Sequence, residues 1–139
     1  MKNLFKAVIT TVQITSLIHI LVKYVGNIVQ CSGSSMQPTI NTGDIVLVEH
    51  ISILLNNIEK NDIVISKSPQ NPNNYVCKRV IGLEGDLLYN NNHISKGYVW
   101  LEGDNKTNSL DSRVYGQLPY GLLCSRVIMK IYPFSFQHI

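Results

Sequence analysis

The chain has 139 residues, 45% of them hydrophobic and 15% charged, with a formal net charge of +3. That length holds one compact domain plus a short extension, and the mild charge without a Lys/Arg block argues against nucleic acid as a main partner. Cys31, Cys77 and Cys124 are widely spaced with no CxxC, which argues against a zinc site and a disulfide-stapled secreted scaffold; one intramolecular pair is open, and spacing alone does not assign it.

Residues 7–22, AVITTVQITSLIHILV, carry no Asp, Glu, Lys or Arg, and after Lys23 the run YVGNIV continues to Val29. A membrane span needs about 20 mostly apolar residues, and Gln13, His19 and Lys23 are costly in hydrocarbon. Three readings compete: a membrane anchor, a cleaved targeting signal, and a helix packed on the domain or on a partner. No clear small-residue cleavage site follows, which weakens the second. The anchor reading divides the chain into an anchor over 1–30 and a β domain over 31–139. Lys2 and Lys6 precede the span and would hold the N-terminus on the negative side, placing the remainder across the membrane.

SGSSMQPTI follows at 32–40. Gly33 permits a tight bend, and Pro38 fixes its own φ and pushes Gln37 towards extended geometry. The stretch is either a rigid turn presenting a serine or an ordinary Ser-rich linker.

From Asp44 the pattern changes to short β-rich runs between turn residues: DIVLVEH (44–50), DIVISKS (62–68), YVCKRVIGL (75–83), GYVWLEGD (97–104) and GLLCSRVIMKIY (121–132). DLLY and HISK flank NNN like a hairpin, and a short helix is expected around ISILLNN. This spacing predicts a mainly β, antiparallel sandwich or barrel-like fold. LEGD recurs at 83–86 and 101–104 and reads as two strand ends with Gly turns. The apolar C-terminal run 118–136 either rests against a bilayer or is plain core.

A serine nucleophile needs a base. Of the four histidines, only His50, at a strand end, is credible for a Ser-His-Asp triad. Lysine is the alternative, provided that burial lowers its pKa. Alternation in YVCKRVIGL puts Val76, Lys78 and Val80 on one face and Cys77, Arg79 and Ile81 on the other. If the first face is core, Lys78 is desolvated; if it is solvated, Lys78 snorkels out. In GDNKTNSLDSRVYG (103–116), Ser109, Asp111 and Arg113 share a face in extended geometry, and the last two can pair; the bland account is an exposed ion pair on a polar loop. Asn105-Lys106-Thr107 also fits a glycosylation acceptor.

Together these segments resemble the type I signal peptidase family of membrane-bound serine proteases. SGSSMQPTI is similar to its nucleophile box, KRVIGLEGD to its lysine box and GDNKTNSLDSR to its final box, in the same order and over about residues 31–133. The resemblance implies Ser35 as nucleophile, Lys78 as general base, Ser109 orienting the lysine, and Asp111 and Arg113 bracing the site. It implies the Ser35 backbone N–H as an oxyanion donor. Bacterial relatives often carry Ser where this chain has Gly33, so the second donor is left open, with Ser34 or Ser32 as substitutes. No metal or cofactor is implied. The short length, with one anchor and no large inserted β-domain, resembles the family's mitochondrial inner-membrane branch. That branch implies presequence-bearing protein substrates, contact with inner-membrane lipid, a catalytic domain facing the intermembrane space and a homologous second peptidase subunit. The rival readings are a non-catalytic membrane-tethered β-module supporting a partner peptidase, a bacterial-type leader peptidase, and a microsomal relative; Lys78 argues against the last, whose members typically carry His there.

Overall fold

The structure, a computed structural model, describes residues 2–20, 23, 26–88 and 93–133. The chain starts with helix α1 (Lys2–Ile20), whose apolar side chains point outward: Leu4, Phe5, Val12 and Leu17 are all more than half exposed. The 18 residues Asn3–Ile20 are long and apolar enough to cross a membrane, and none of that window is buried against the rest of the molecule. The helix is therefore not packed on the domain. At about 1.5 Å per residue the window spans about 27 Å, close to a hydrocarbon core of about 30 Å. Its threonines suit such surroundings, since Thr10, Thr11 and Thr15 each donate a hydroxyl to the carbonyl four residues back, at 3.0, 2.9 and 2.8 Å.

Among the described residues the body is one seven-stranded antiparallel sheet. Its strands are β1 (Gly26–Gln30), β2 (Ile45–Glu49), β3 (Ile63–Lys67), β4 (Tyr75–Gly82), β5 (Tyr98–Glu102), β6 (Leu118–Pro119) and β7 (Leu123–Tyr132), in the order β1-β2-β7-β3-β4-β5-β6. Register shifts interrupt the β2–β7, β3–β7 and β4–β5 ladders. Such bulges add twist, and the sheet is a half-barrel rather than two facing sheets.

Both faces of the sheet centre are covered. On β3, Ile63 and Ile65 enter a cluster with Met36, Ile40, Val46, Val48 and Val127, while Val64 enters another with Ile58, Val80, Val99, Leu101, Leu118 and Leu123. This explains why DIVIS is a continuous apolar run rather than an alternating one. Trp100 points away from Val99 and Leu101 into a third cluster with Leu88 and Ile94.

Several elements depart from the sequence reading. Gly26–Gln30, expected as the tail of the apolar run, pairs with β2 along its whole length. The expected short helix is α2 (Ile51–Leu54), but 103–116 is not extended throughout: it closes with helix α3 (Ser112–Tyr115), capped by Asp111. Leu87 and His93 form an isolated antiparallel bridge where the hairpin was expected; the Asn-Asn-Asn turn lies outside the described residues. The C-terminal run is core at its start, as Leu118, Leu123 and Val127 are buried, and it surfaces at Ile128, Met129 and Tyr132; its last residues, 134–136, lie outside the described residues. The first LEGD is a Gly turn, with Gly85 at φ +83°. The second is a strand end at which Gly103 serves a close approach, described below.

Candidate active site

The segment between β1 and β2 is shaped by two burial anchors. Met36 and Ile40 are buried in the first cluster, and the Ile40 N–H closes one turn onto the Met36 carbonyl at 2.9 Å. Ser35, adjacent to Met36, is thereby held half-buried at the rim. Gly33 sits at φ +98°, a region that strains side-chain-bearing residues, and its carbonyl accepts from the Thr42 hydroxyl at 2.9 Å. Glycine here is a requirement of the bend. Among the described residues, the Ser35 amide donates to no acceptor.

Lys78 comes from β4, whose burial alternates: Lys78, Val80 and Gly82 are buried, and Arg79 and Ile81 are less so. The face of Lys78 is therefore a core face, and the residue is 3% exposed. Burial pushes the Lys78 amine below the ordinary lysine range; Asp111 and Cys77 pull it back up, and Arg113 pushes it down. Asp111, whose charge acts on the amine, is itself paired with Arg113 at 2.7 Å. Ser35 and Lys78 line one cleft of about 90 Å³, with Cys31, Ser32, Gly33, Met36, Ile40, Tyr75, Val76 and Cys77 completing its walls.

The third segment meets this cleft through Gly103. Arg79 lies opposite Glu102 and Val80 opposite Leu101, so continuing the ladder one step sets Lys78 beside Gly103. Directly opposed residues of an antiparallel pair share a face. On that face, a Cβ on Gly103 would lie 2.5 Å from the Ser35 carbonyl oxygen and 2.6 Å from Ser109 Cβ, and would overlap Ser109 Oγ. The bare Gly103 thus lets the Ser35 backbone and Ser109 close in beside the lysine strand. Ser109 Oγ is buried and makes no hydrogen bond of good geometry among the described residues, while lying close enough to the Asp111 carboxylate to favour its ionised form.

Asp111 is fully buried; its carboxylate accepts from Arg113 Nε at 2.9 Å, from the second Arg113 guanidinium nitrogen at 2.7 Å and from the Gly103 N–H at 2.9 Å. Burial by itself would raise its pKa, but the Arg113 guanidinium and the Gly103 amide hold the carboxyl well below the usual carboxylate range. The expected Asp111–Arg113 pair is present, formed across a helix cap rather than along a strand.

A second ion pair was not anticipated. Arg79 donates to both oxygens of Asp104, at 2.8 and 2.7 Å, and the Thr39 hydroxyl donates to the same carboxylate at 2.6 Å. One residue from each of the three segments meets there. The signal in the sequence was Arg79 next to Lys78 but on the opposite face. The loops are also tied directly: Asn105 N–H donates to the Ser35 carbonyl at 3.0 Å, Asn105 Nδ2 to the Ser34 carbonyl at 3.1 Å and Asn108 Nδ2 to Ser34 Oγ at 2.6 Å. The Asn105 amide is therefore a structural tie, and Ser34 faces the 105–108 loop while Ser32 lines the cleft. His50 contacts the Cys124 carbonyl at 3.0 Å and Asn27 at 3.4 Å, and no histidine among the described residues lines the cleft.

Comparison with known proteins gives the family. Residues 1–92 match the family model described as signal peptidase, peptidase S26. The chain is 46% identical over 140 residues to a Homo sapiens protein named mitochondrial inner membrane protease subunit 1, covering 94% of this chain and 84% of that one. It is 37% identical to the Schizosaccharomyces pombe protein of the same name, covering 96% and 90%. A Mus musculus protein named mitochondrial inner membrane protease subunit 2 is 35% identical over 117 residues, covering 76% of this chain and 67% of that one. On the matched residues and these identities, the chain belongs to the signal peptidases of peptidase family S26.

Proposed function

We propose that this chain is a membrane-anchored serine endopeptidase that uses a Ser35–Lys78 dyad to remove sorting presequences in the mitochondrial inner membrane. The observation that carries the reading is one cleft shared by a rim serine and a buried lysine whose amine is biased towards the neutral form. Neutral Lys78 takes the proton of Ser35 as the hydroxyl attacks the scissile carbonyl, then delivers it to the leaving amine. The Ser35 N–H donates to the developing oxyanion, and Ser32, on the cleft wall, is the candidate second donor. Water then hydrolyses the acyl-enzyme, with Lys78 again taking the proton. Ser109 orients the Lys78 amine. Asp111 and Arg113 brace the loop, and their opposite charges partly cancel at Lys78, which leaves burial as the dominant influence on the amine.

The names of the relatives support the compartment and a protease activity, and the family's description as signal peptidase supports the substrate class, for which we infer presequences of proteins delivered to the intermembrane space. The similarity to relatives named subunit 1 and subunit 2 supports assembly with a homologous second peptidase subunit. In this reading α1 anchors the chain in the inner-membrane lipid, and residues 31–139 form the catalytic unit facing the intermembrane space. Full-length chain and its Ser35→Ala and Lys78→Ala variants are to be compared on a presequence substrate, with and without the second subunit. Both variants accumulate as folded protein and lose processing by at least about 10³-fold. Cleavage retained in either variant removes the dyad, and cleavage absent from the wild-type chain under both conditions favours a non-catalytic module.

A further inference from the structure

The cleft contains two nucleophilic groups that the proposed reaction does not use. Cys31 immediately precedes the serine loop and Cys77 immediately precedes Lys78, and both thiols are free. Both side chains pack against the cluster of Met36, Ile40, Ile63 and Ile65. Both line the catalytic cleft, and both line the adjoining depression of about 180 Å³, so the pair stands where the two meet. Their backbones are fixed independently of the thiols. The Cys31 N–H donates to the Asp44 carbonyl at 2.8 Å, its carbonyl accepts from Gly43 N–H at 2.8 Å, and Cys77 pairs with Ile65 in the β3–β4 ladder. The fold itself therefore brings the two cysteines to one wall of the cleft, against the same cluster.

We propose that Cys31 and Cys77 are a redox-active pair that closes to a disulfide across the Ser35–Lys78 cleft and suppresses turnover. The proposal rests on the dyad reading for its effect on activity, but not for its chemistry. The oxidant is a small disulfide such as oxidised glutathione. The Cys31 thiolate attacks one of its sulfurs and expels a glutathione thiolate; the Cys77 sulfur then attacks the Cys31 side of the mixed disulfide, gives up its proton and expels the second. Two protein thiols are oxidised and one small disulfide is reduced to two thiols. The direction of attack follows from the thiols' surroundings: the neighbouring Cys77 lowers the Cys31 pKa, against burial, while Cys31 and burial raise that of Cys77. An S–S bond of about 2.05 Å is far shorter than any thiol–thiol contact. Closing it draws the segments that carry Ser35 and Lys78 together at their neighbouring residues and narrows the space a substrate strand must occupy.

The test uses the full-length chain, treated with oxidised glutathione and then with dithiothreitol, and reads two quantities: peptide mapping by non-reducing mass spectrometry, and kcat/KM on a presequence peptide. The expected result is a Cys31–Cys77 linked peptide, kcat/KM lower by on the order of tenfold or more, and recovery on reduction. In Cys31→Ser and Cys77→Ser the ratio of oxidised to reduced activity becomes one; in Cys124→Ser the wild-type response persists. A linked peptide with unchanged activity, glutathione retained on Cys31 without the link, or a response that survives in Cys31→Ser overturns the proposal. If the reduced chain is itself inactive with and without the second subunit, the dyad reading fails, while the mapping still decides whether the bond forms.

Discussion

Gly103→Ala tests the site at its tightest point. The backbone at Gly103 is not in the left-handed region, so alanine brings no conformational strain and the effect is steric. The new methyl would sit 2.5 Å from the Ser35 carbonyl oxygen, ~0.9 Å inside the 3.4 Å at which ordinary contact begins. Ser109 can rotate its hydroxyl away, but its Cβ, at 2.6 Å, and the Ser35 carbonyl, held by the Asn105 N–H at 3.0 Å, move only with their backbones. The relief must therefore come from moving the Ser35 loop or the Ser109 segment away from the strand that carries Lys78, or from tilting β5. Overpacking of this size costs roughly 1–3 kcal/mol of stability. Displacing a nucleophile by about 1 Å from its base costs about 10²-fold in rate, or about 2.7 kcal/mol of barrier. The assay is kcat and KM on a presequence peptide beside a thermal unfolding curve, with Gly121→Ala as control, since a Cβ there meets nothing within 4 Å. The expected outcome is a folded Gly103→Ala protein with kcat down about 10²-fold and the control unchanged. A folded Gly103→Ala protein with kcat near wild type refutes the claim that this contact sets the serine–lysine geometry.

Ser34→Ala removes only the bond accepted from Asn108 Nδ2 and is expected to cost about 0.5–1.5 kcal/mol of stability, with activity within severalfold of wild type; a loss matching Ser35→Ala in the same processing assay would reassign the nucleophile. Asp111→Asn leaves Arg113 and the Gly103 amide without their buried carboxylate and is expected to lose roughly 3–5 kcal/mol by denaturant unfolding. The sign with pH follows from the depressed native pKa of Asp111: its contribution is complete above the unfolded value of about 3.9 and disappears as pH falls through the native value, so the acid-induced loss of stability is shallower in the variant. Lys78→Met replaces the amine of a buried lysine with an apolar group, and is expected to raise stability by about 0.5–2 kcal/mol while abolishing cleavage; a lower melting temperature would contradict the account of Lys78 as a desolvated, costly group.

How much of this was legible from residues alone varied with distance along the chain. Alternation in YVCKRVIGL put Lys78 between Val76 and Val80, but whether that face was core depended on β3 and β5, which strand composition does not place. The register, with Val64 opposite Lys78 and Leu101 opposite Val80, supplies the answer. The Asp111–Arg113 pair was legible because it is local, although the cap that forms it was not. The Arg79–Asp104–Thr39 cluster joins residues 25 and 65 positions apart, and nothing in a single sequence pairs them. Gly103 read as a turn glycine because a strand end and a turn look alike; only the neighbouring Ser35 and Ser109 show that it is bare for space. Gly26–Gln30 was absorbed into the apolar run because an edge strand and the end of an anchor share one composition.

The dependence of kcat/KM on pH, measured on the full-length chain with a presequence peptide, tests the central claim most directly, because only the neutral Lys78 amine accepts the Ser35 proton. The account predicts a rise with pH through an apparent pKa below the ordinary lysine value of about 10.4, since burial favours the neutral form. A profile that stays flat from neutral to alkaline pH, or that rises only where a solvent-exposed lysine titrates, contradicts it.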